Sequence, residues 1–219
     1  MTYTLKETKL KWCKGYKYLG VWLDERMEWK EQVNRVVAKG TRGLNFVMRT
    51  LKGAHSQVKE HAYKTLVRPI LEYGGMVWDP YKLGEVKEIE RVQRMAARRV
   101  TGRMRRWLWD PKTKERVWDS TSEMIKQLKW ESLDQRREKA RLGALRSALC
   151  EQKGWKEIGD KLQEGLNLRN EHKLMERGAR TEVGRNCFLN RTIRRWNTLN
   201  PELRSAATKL SHKTFRQML

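Results

Sequence analysis

The chain has 219 residues and no apolar run approaching the ~18 residues of a membrane-crossing helix. Its opening MTYTLKETKL has no signal-peptide core. A protein inside the cell, nuclear or cytoplasmic, with no membrane partner is therefore expected. Cysteine is scarce: Cys13, Cys150 and Cys187 lie far apart, none at zinc-ligand spacing, and His55, His61, His172 and His212 do not cluster with them. An odd count of isolated thiols suits a reducing compartment and excludes a Cys/His zinc knuckle. No metal or other cofactor is expected.

Recognisable catalytic motifs are missing as well. There is no phosphate-cradling Gly-rich loop, no HExxH and no GxSxG elbow. A two-metal centre needs grouped carboxylates. Asp24, Asp79, Asp110, Asp119, Asp134 and Asp160 stand singly, and such residues read as helix caps and turns. Glu85, Glu88 and Glu90, beside Arg91 and Arg94, read as an ordinary solvated helix face. The chain is expected to be non-catalytic by itself.

Acidic charge is the remaining deficit: 49 Lys and Arg oppose 26 Asp and Glu, a net charge of +23 spread from end to end. Such charge needs a polyanion, and nucleic acid comes first because its phosphates repay many dispersed cations through counterion release. Charged residues make up 34% of the chain, above the usual quarter, which suits helices with one apolar stripe and a solvated outer face. Ten tryptophans exclude a disordered tail.

Periodicity gives the layout. Residues 2–23 read as two strands, TYTLKETKLKW and YKYLGVWL, joined across Cys13 to Gly15, with Gly20 inside the second. A glycine in a strand marks a bulge, tight packing or the close approach of another backbone or a ligand. Trp29, Val33, Val36, Val37, Gly40, Leu44, Val47 and Leu51 recur at steps of three and four, predicting a helix that ends near Gly53. A second helix starts near Ser56 with Val58, Ala62, Tyr63, Leu66, Val67, Ile70 and Leu71 inward and a kink at Pro69. A third, Glu85 to Thr101, carries Val86, Ile89, Val92, Ala96 and Val100 and stops at Gly102. Beyond it, basic residues interleave with tryptophans, and STSE (Ser120–Glu123) and SLDQ (Ser132–Gln135) each resemble a capping box, the second opening a helix to about Leu149. Residues 153–184 are polar and irregularly patterned. A last helical piece with Phe188, Ile193, Trp196 and Leu199 halts at Pro201, and a short one follows near Phe215 and Met218.

The fold class expected is mainly α: an N-terminal β-hairpin (1–23), a three-helix bundle (24–103), a basic Trp-containing linker (104–131) and a smaller helical C-terminal region (132–219).

Five blocks, KYLGVWLDERMEWKEQV, YKTLVRPILEYGGMVWDP, IERVQRMAARRVTG, LKWESLDQRREKARL and CFLNRTIRRWNTLNPEL, follow in the order seen in non-LTR (LINE-type, jockey-like) retrotransposon reverse transcriptases. The chain resembles the part of such an RNA-directed DNA polymerase after the catalytic palm strands: the primer-grip hairpin, the thumb and the C-terminal extension. The resemblance implies that Leu19 and Gly20 lie in the primer-grip hairpin. There the missing side chain lets the backbone approach the primer's terminal phosphates or the first thumb helix. It also implies a thumb-like reading of the bundle, RNA or an RNA–DNA hybrid as partner, and the missing palm and fingers as a further one. The paired aspartates of the family's palm are absent, so no polymerisation is expected of this chain. A fragment, a truncated copy, a domesticated basic RNA-binding or scaffold protein and a decayed copy without a selected role all fit the same residues. The oligomeric state is not set by the sequence.

Within the third helix Arg91, Arg94, Arg98 and Arg99 fall on or near one side and continue into Arg103, Arg105 and Arg106. Charge of nearly one sign there suits a surface along a template–primer duplex, through contacts to the backbone. A plain solvated face is the alternative. Trp107 and Trp109 either stack on unpaired bases or pack the linker onto the bundle. Trp78, Trp196, Tyr63 and Tyr73 are expected to be structural.

Overall fold

The computed structural model describes residues 3–9, 11–103, 107–110, 114–118, 120–150, 162, 166–167, 172–176, 178–207, 210 and 212–219. The protein is mainly helical, with an antiparallel hairpin near its N-terminus. Among the described residues no helix is long and apolar enough to cross a membrane.

The hairpin pairs β3 (Gly15–Tyr18) with β4 (Val21–Asp24), and a smaller one, β1 (Thr4–Leu5) with β2 (Thr8–Lys9), precedes it. The strands expected across residues 2–23 are therefore each cut short. The turn is not at Cys13 to Gly15 but at Leu19-Gly20, because Tyr18 pairs with Val21. Both turn residues have positive φ, +45° and +86°, the combination a type I′ turn requires and one that matches the twist of the flanking strands. Gly20 thus terminates a strand instead of interrupting one.

Helix α1 (Lys30–Thr50) buries Val33, Val36, Val37, Leu44 and Val47, as its period predicts. Gly40 allows a neighbour to come in close: a Cβ there would sit 2.5 Å from Leu71 Cδ2. The second helix is interrupted, as α2 (Ser56–Ala62), a π-turn (Tyr63–Val67) and α3 (Arg68–Glu72). Pro69 has no N–H to continue the ladder, and the preceding Arg68 N–H reaches back five residues to the Tyr63 carbonyl. The widened turn also resets the inward face. Tyr63, Val67 and Leu71, four apart, are fully buried, whereas Val58 and Leu66, expected inside, are exposed.

Gly74, at φ +65°, starts the short α4 (Gly75–Trp78). Trp78 is buried, its indole N–H donating to the Tyr73 carbonyl at 2.8 Å. Helix α5 (Leu83–Thr101) lies against α1 through Ile89, Val92, Ala96 and Val100 and ends at Gly102 with φ +68°, the left-handed cap that glycine adopts without a Cβ penalty.

The region expected to be a linker has structure. Strands β5 (Trp107–Asp110) and β6 (Glu115–Trp118) form a hairpin with Trp107 opposite Trp118 and Trp109 opposite Arg116. Helix α6 (Thr121–Gln127) and the turn after it then deliver Met124 and Trp130 to the first core. Trp130 stacks on Tyr63 at 4.6 Å between ring centroids and donates to Glu60 Oε1 at 2.9 Å, while the Tyr63 hydroxyl donates to Gln93 Oε1 at 3.1 Å.

Helix α7 (Leu133–Leu149) opens on the expected capping box: Ser132 Oγ accepts from the Gln135 amide at 3.1 Å and Gln135 Oε1 from the Ser132 amide at 3.2 Å. At Ser120 the side chain accepts from the Ser122 amide, a simple N-cap. Leu133 belongs to the first core and Leu142, Leu145, Ala148 and Leu149 to a second, so one helix runs through both. The second core is closed by α9 (Phe188–Asn197), α10 (Pro201–Ala207) and α11 (His212–Met218), with Ile193, Trp196, Ala207 and Phe215 inside. Pro201 opens α10, where its missing N–H would have no partner anyway. The short α8 (Glu182–Asn186) precedes α9, and β7 (Leu166–Asn167) pairs with β8 (Lys173–Leu174).

Candidate nucleic-acid interface

The β3–β4 hairpin is fastened to the bundle at two points. The Trp22 amide donates to Gln32 Oε1 on α1 at 2.9 Å, and the Tyr73 hydroxyl donates to the Leu19 carbonyl at 2.9 Å. Gly20 lies so close that a Cβ would be 3.2 Å from Tyr73 Cε1. Between these fastenings runs a cleft of about 470 Å³, lined by Lys17 and Trp22 of the hairpin, Arg35, Lys39 and Arg42 of α1, and Ile70 and Tyr73 from and beyond α3.

The cationic wall follows from helix geometry. Arg35, Lys39, Arg42, Phe46 and Arg49 are all exposed, and steps of four and three align them in one stripe opposite the apolar face. The stripe spans roughly 21 Å at 1.5 Å per residue. Arg35 pairs with Glu31 at 2.8 Å and lies over the Trp22 ring at 4.3 Å, a cation–π contact. Among the described residues Lys39, Arg42 and Arg49 have no ion-pair partner. A cleft walled by one sign of charge focuses the field onto an anion; Trp22, Ile70 and Tyr73 offer flat or apolar surface beside it.

The residues singled out from sequence divide into two groups. Leu19 and Gly20 form the turn, with Gly20 lining the cleft. The α5 arginines are largely engaged with protein: Arg91 with Glu88 at 2.9 Å, Arg94 with the Lys87 carbonyl at 3.2 Å and Arg98 with Thr121 Oγ1 at 3.3 Å. Arg99 is exposed and Arg103 half-buried. Arg105 and Arg106 lie outside the described residues, and for Trp107 and Trp109 the description extends to the backbone of β5. Tyr73, expected to be structural, is exposed and holds the Leu19 carbonyl.

Sequence reasoning missed Lys17, Arg35, Lys39 and Arg42, although a signal was present. No Asp or Glu occurs between Glu31 and Glu60, while Lys and Arg recur on the polar face. It also misread two carboxylates. Glu90 is half-buried and accepts from the Asp134 amide at 2.9 Å at the start of α7; burial pushes its carboxyl up. Asp79, read as a cap or turn residue, is buried and faces Arg137, Arg141 and Arg191. The geometry that gathers them was invisible in the sequence, since they lie on three separate segments.

Among the described residues no group of three or more His, Cys, Asp or Glu side chains is arranged to hold a metal ion. The cleft itself presents cations and aromatic or apolar surface, an arrangement that can bind and orient a polyanion. Comparison with known protein families, curated proteins and solved structures finds no match to this chain.

Proposed function

We propose that the chain is a nucleic-acid-binding module: the primer-grip hairpin, thumb and C-terminal extension of a non-LTR retrotransposon RNA-directed DNA polymerase. It holds RNA or a template–primer duplex and has no catalytic centre of its own. The observation that carries this reading is the cationic cleft between α1 and the Leu19-Gly20 turn. A phosphate backbone laid along α1 meets Arg35, Lys39 and Arg42 in succession. Such contacts fix register and orientation without reading bases. The type I′ turn places peptide backbone, not a side chain, at one end of the cleft, as a grip on a terminal phosphate requires. The sequence blocks supply the family and the net charge of +23 supplies the long-range attraction.

The test is fluorescence anisotropy with a hairpin RNA and an RNA–DNA hybrid between about 50 and 200 mM salt, where affinity for a phosphate-contacting protein falls steeply. Replacing Lys39 and Arg42 together by Gln should flatten the log–log slope by about 2, close to 0.9 per lost phosphate contact. A salt-independent affinity, or a slope unmoved by the double substitution, refutes the cleft as the site. Primer extension by the purified chain with magnesium would refute the non-catalytic part.

A further inference from the structure

The cleft between α1 and the Leu19-Gly20 turn is lined by more than phosphates can use. Lys17, Arg35, Lys39 and Arg42 border it and no described Asp or Glu does, but Ile70, Trp22 and Tyr73 are part of the same lining. Its volume of about 470 Å³ suits one small organic group, for which sites run to roughly 300–1,000 Å³. A duplex keeps its bases stacked inside and presents phosphates outward. It meets the cations at the rim and leaves the aromatic and apolar lining uncovered.

One aromatic ring in the cleft is unspent. Trp22 is not that ring: Arg35 lies over it at 4.3 Å, and the Gly15 backbone is so near that a Cβ there would be 2.7 Å from the indole. Tyr73 is 60% exposed and has no ring or cation–π partner among the described residues. Its hydroxyl is tied to the Leu19 carbonyl, and Gly20 lies beside its Cε1. A ring already held at its far end loses little freedom when a base stacks on it.

A buried side chain adds a donor to the same cleft. Gln32 is 3% exposed and is part of the lining. The Trp22 amide donates to its Oε1, which fixes the carboxamide and leaves the NH₂ as the free end. That nitrogen has no acceptor among the described residues, and it is not one of the side-chain nitrogens sealed from solvent. It is therefore available to a ligand, and the edge of every base pair's members carries acceptor oxygens or ring nitrogens.

We propose that this cleft takes one unpaired nucleotide of an RNA strand. The base stacks on Tyr73, an acceptor on its edge meets Gln32 Nε2, and the flanking phosphates lie on Lys39 and Arg42. Every base has a π-face, so the site discriminates unpaired from paired nucleotides more than one sequence from another. The inference rests on the α1 cleft as the nucleic-acid site and names what enters it.

The experiment is fluorescence anisotropy of the full chain at one salt concentration with two RNAs of equal phosphate number, a blunt hairpin and a hairpin with a shorter stem and a single-stranded overhang. The overhang RNA should bind at least about fivefold more tightly, the lower end of what stacking one base on an aromatic ring supplies. Tyr73→Leu should remove that preference. Tyr73→Phe, which keeps the ring, should retain most of it, with circular dichroism confirming that both variants are folded. Lys39→Gln with Arg42→Gln should weaken both RNAs. Equal binding of the two RNAs by the parent overturns the proposal even if Tyr73→Leu fails to fold, and so does a preference that survives in folded Tyr73→Leu. Either result leaves the salt-slope test of the cleft itself standing. A polyglutamate peptide of matching charge that displaces the overhang RNA as well as unlabelled RNA does would make the cleft a plain anion site and also overturns the proposal.

Discussion

The Tyr73 hydroxyl donates to the Leu19 carbonyl at 2.9 Å, joining residues 54 positions apart and holding the hairpin tip against the end of α3. Tyr73→Phe should cost about 0.5–1.5 kcal/mol, toward the lower end because the bond is exposed. Gly20→Ala should cost more, about 1–2 kcal/mol, because the residue has φ +86° and its Cβ would press on the Tyr73 ring. Urea unfolding midpoints measure both. If both variants match the parent, the hairpin is not docked as described.

Two glycines of α1 should respond in opposite ways to alanine. At Gly43 a Cβ would meet Ile70 Cδ1 at 3.4 Å, an acceptable contact, so the gain in helix propensity of up to ~1 kcal/mol should appear as added stability. At Gly40 the Cβ would be 2.5 Å from Leu71 Cδ2, and overpacking by about 1–3 kcal/mol should outweigh that gain. Equal Tm shifts in the two variants would contradict the α1–α3 packing.

Asp79→Asn leaves three arginines around a neutral amide. Breaking a buried ion pair from one side typically costs about 3–5 kcal/mol, because the remaining charge stays buried. Denaturant unfolding should show a loss of that size, and Asp134→Asn, at the exposed end of the same cluster, a much smaller one. A mild effect at Asp79 would mean that the arginines reach solvent when it is gone.

Glu90 gives stability a pH dependence of definite sign. Burial raises its carboxyl pKa, while the Asp134 amide and Arg137 oppose the shift. The folded state therefore holds this proton more tightly than the unfolded chain. Its contribution favours folding below the unfolded value, about 4.3, and fades as pH rises through the folded one. Glu90→Gln removes the effect while an amide oxygen can still accept from the Asp134 N–H. The stability of the parent relative to this variant should therefore fall as pH rises above about 4.3. A difference that grows with pH would reverse the assignment.

How far the sequence revealed this molecule can be followed residue by residue. Helices α1 and α5 were legible because an apolar period of three and four stops at a glycine, near Gly53 and at Gly102, and α7 because the Ser132–Gln135 box marks its start. The hairpin turn was not, since apolar alternation runs through Leu19-Gly20 and a leucine at positive φ is uncommon. The π-turn before Pro69 moved Leu66 outward, which no periodicity of 3.6 anticipates. Asp79 was unreadable because Arg137 lies 58 residues away and Arg191 more than a hundred. The α1 wall of the cleft was readable as an acid-free polar face. Its facing wall, Ile70 and Tyr73, needed the fold.

Arg91, Arg94 and Arg98 each already have a partner within the protein, so engaging a phosphate means giving up a contact. Arg99, exposed and with no protein contact to surrender among the described residues, does not face that exchange. Lys39 and Arg42 are in the same position, with Trp22 and Tyr73 beside them in the cleft. Replacing Arg91 and Arg94 by Gln should therefore weaken RNA binding little and barely change the salt slope. Arg99→Gln should lower the slope by about 0.9, and Lys39→Gln with Arg42→Gln by about twice that, each lost contact releasing one counterion fewer. Circular dichroism and Tm should stay close to the parent for all three, since none of these side chains is buried. Equal losses from the Arg91 and Arg94 pair and the Lys39 and Arg42 pair would mean that RNA responds to net charge alone, and the cleft would lose its claim to be the site.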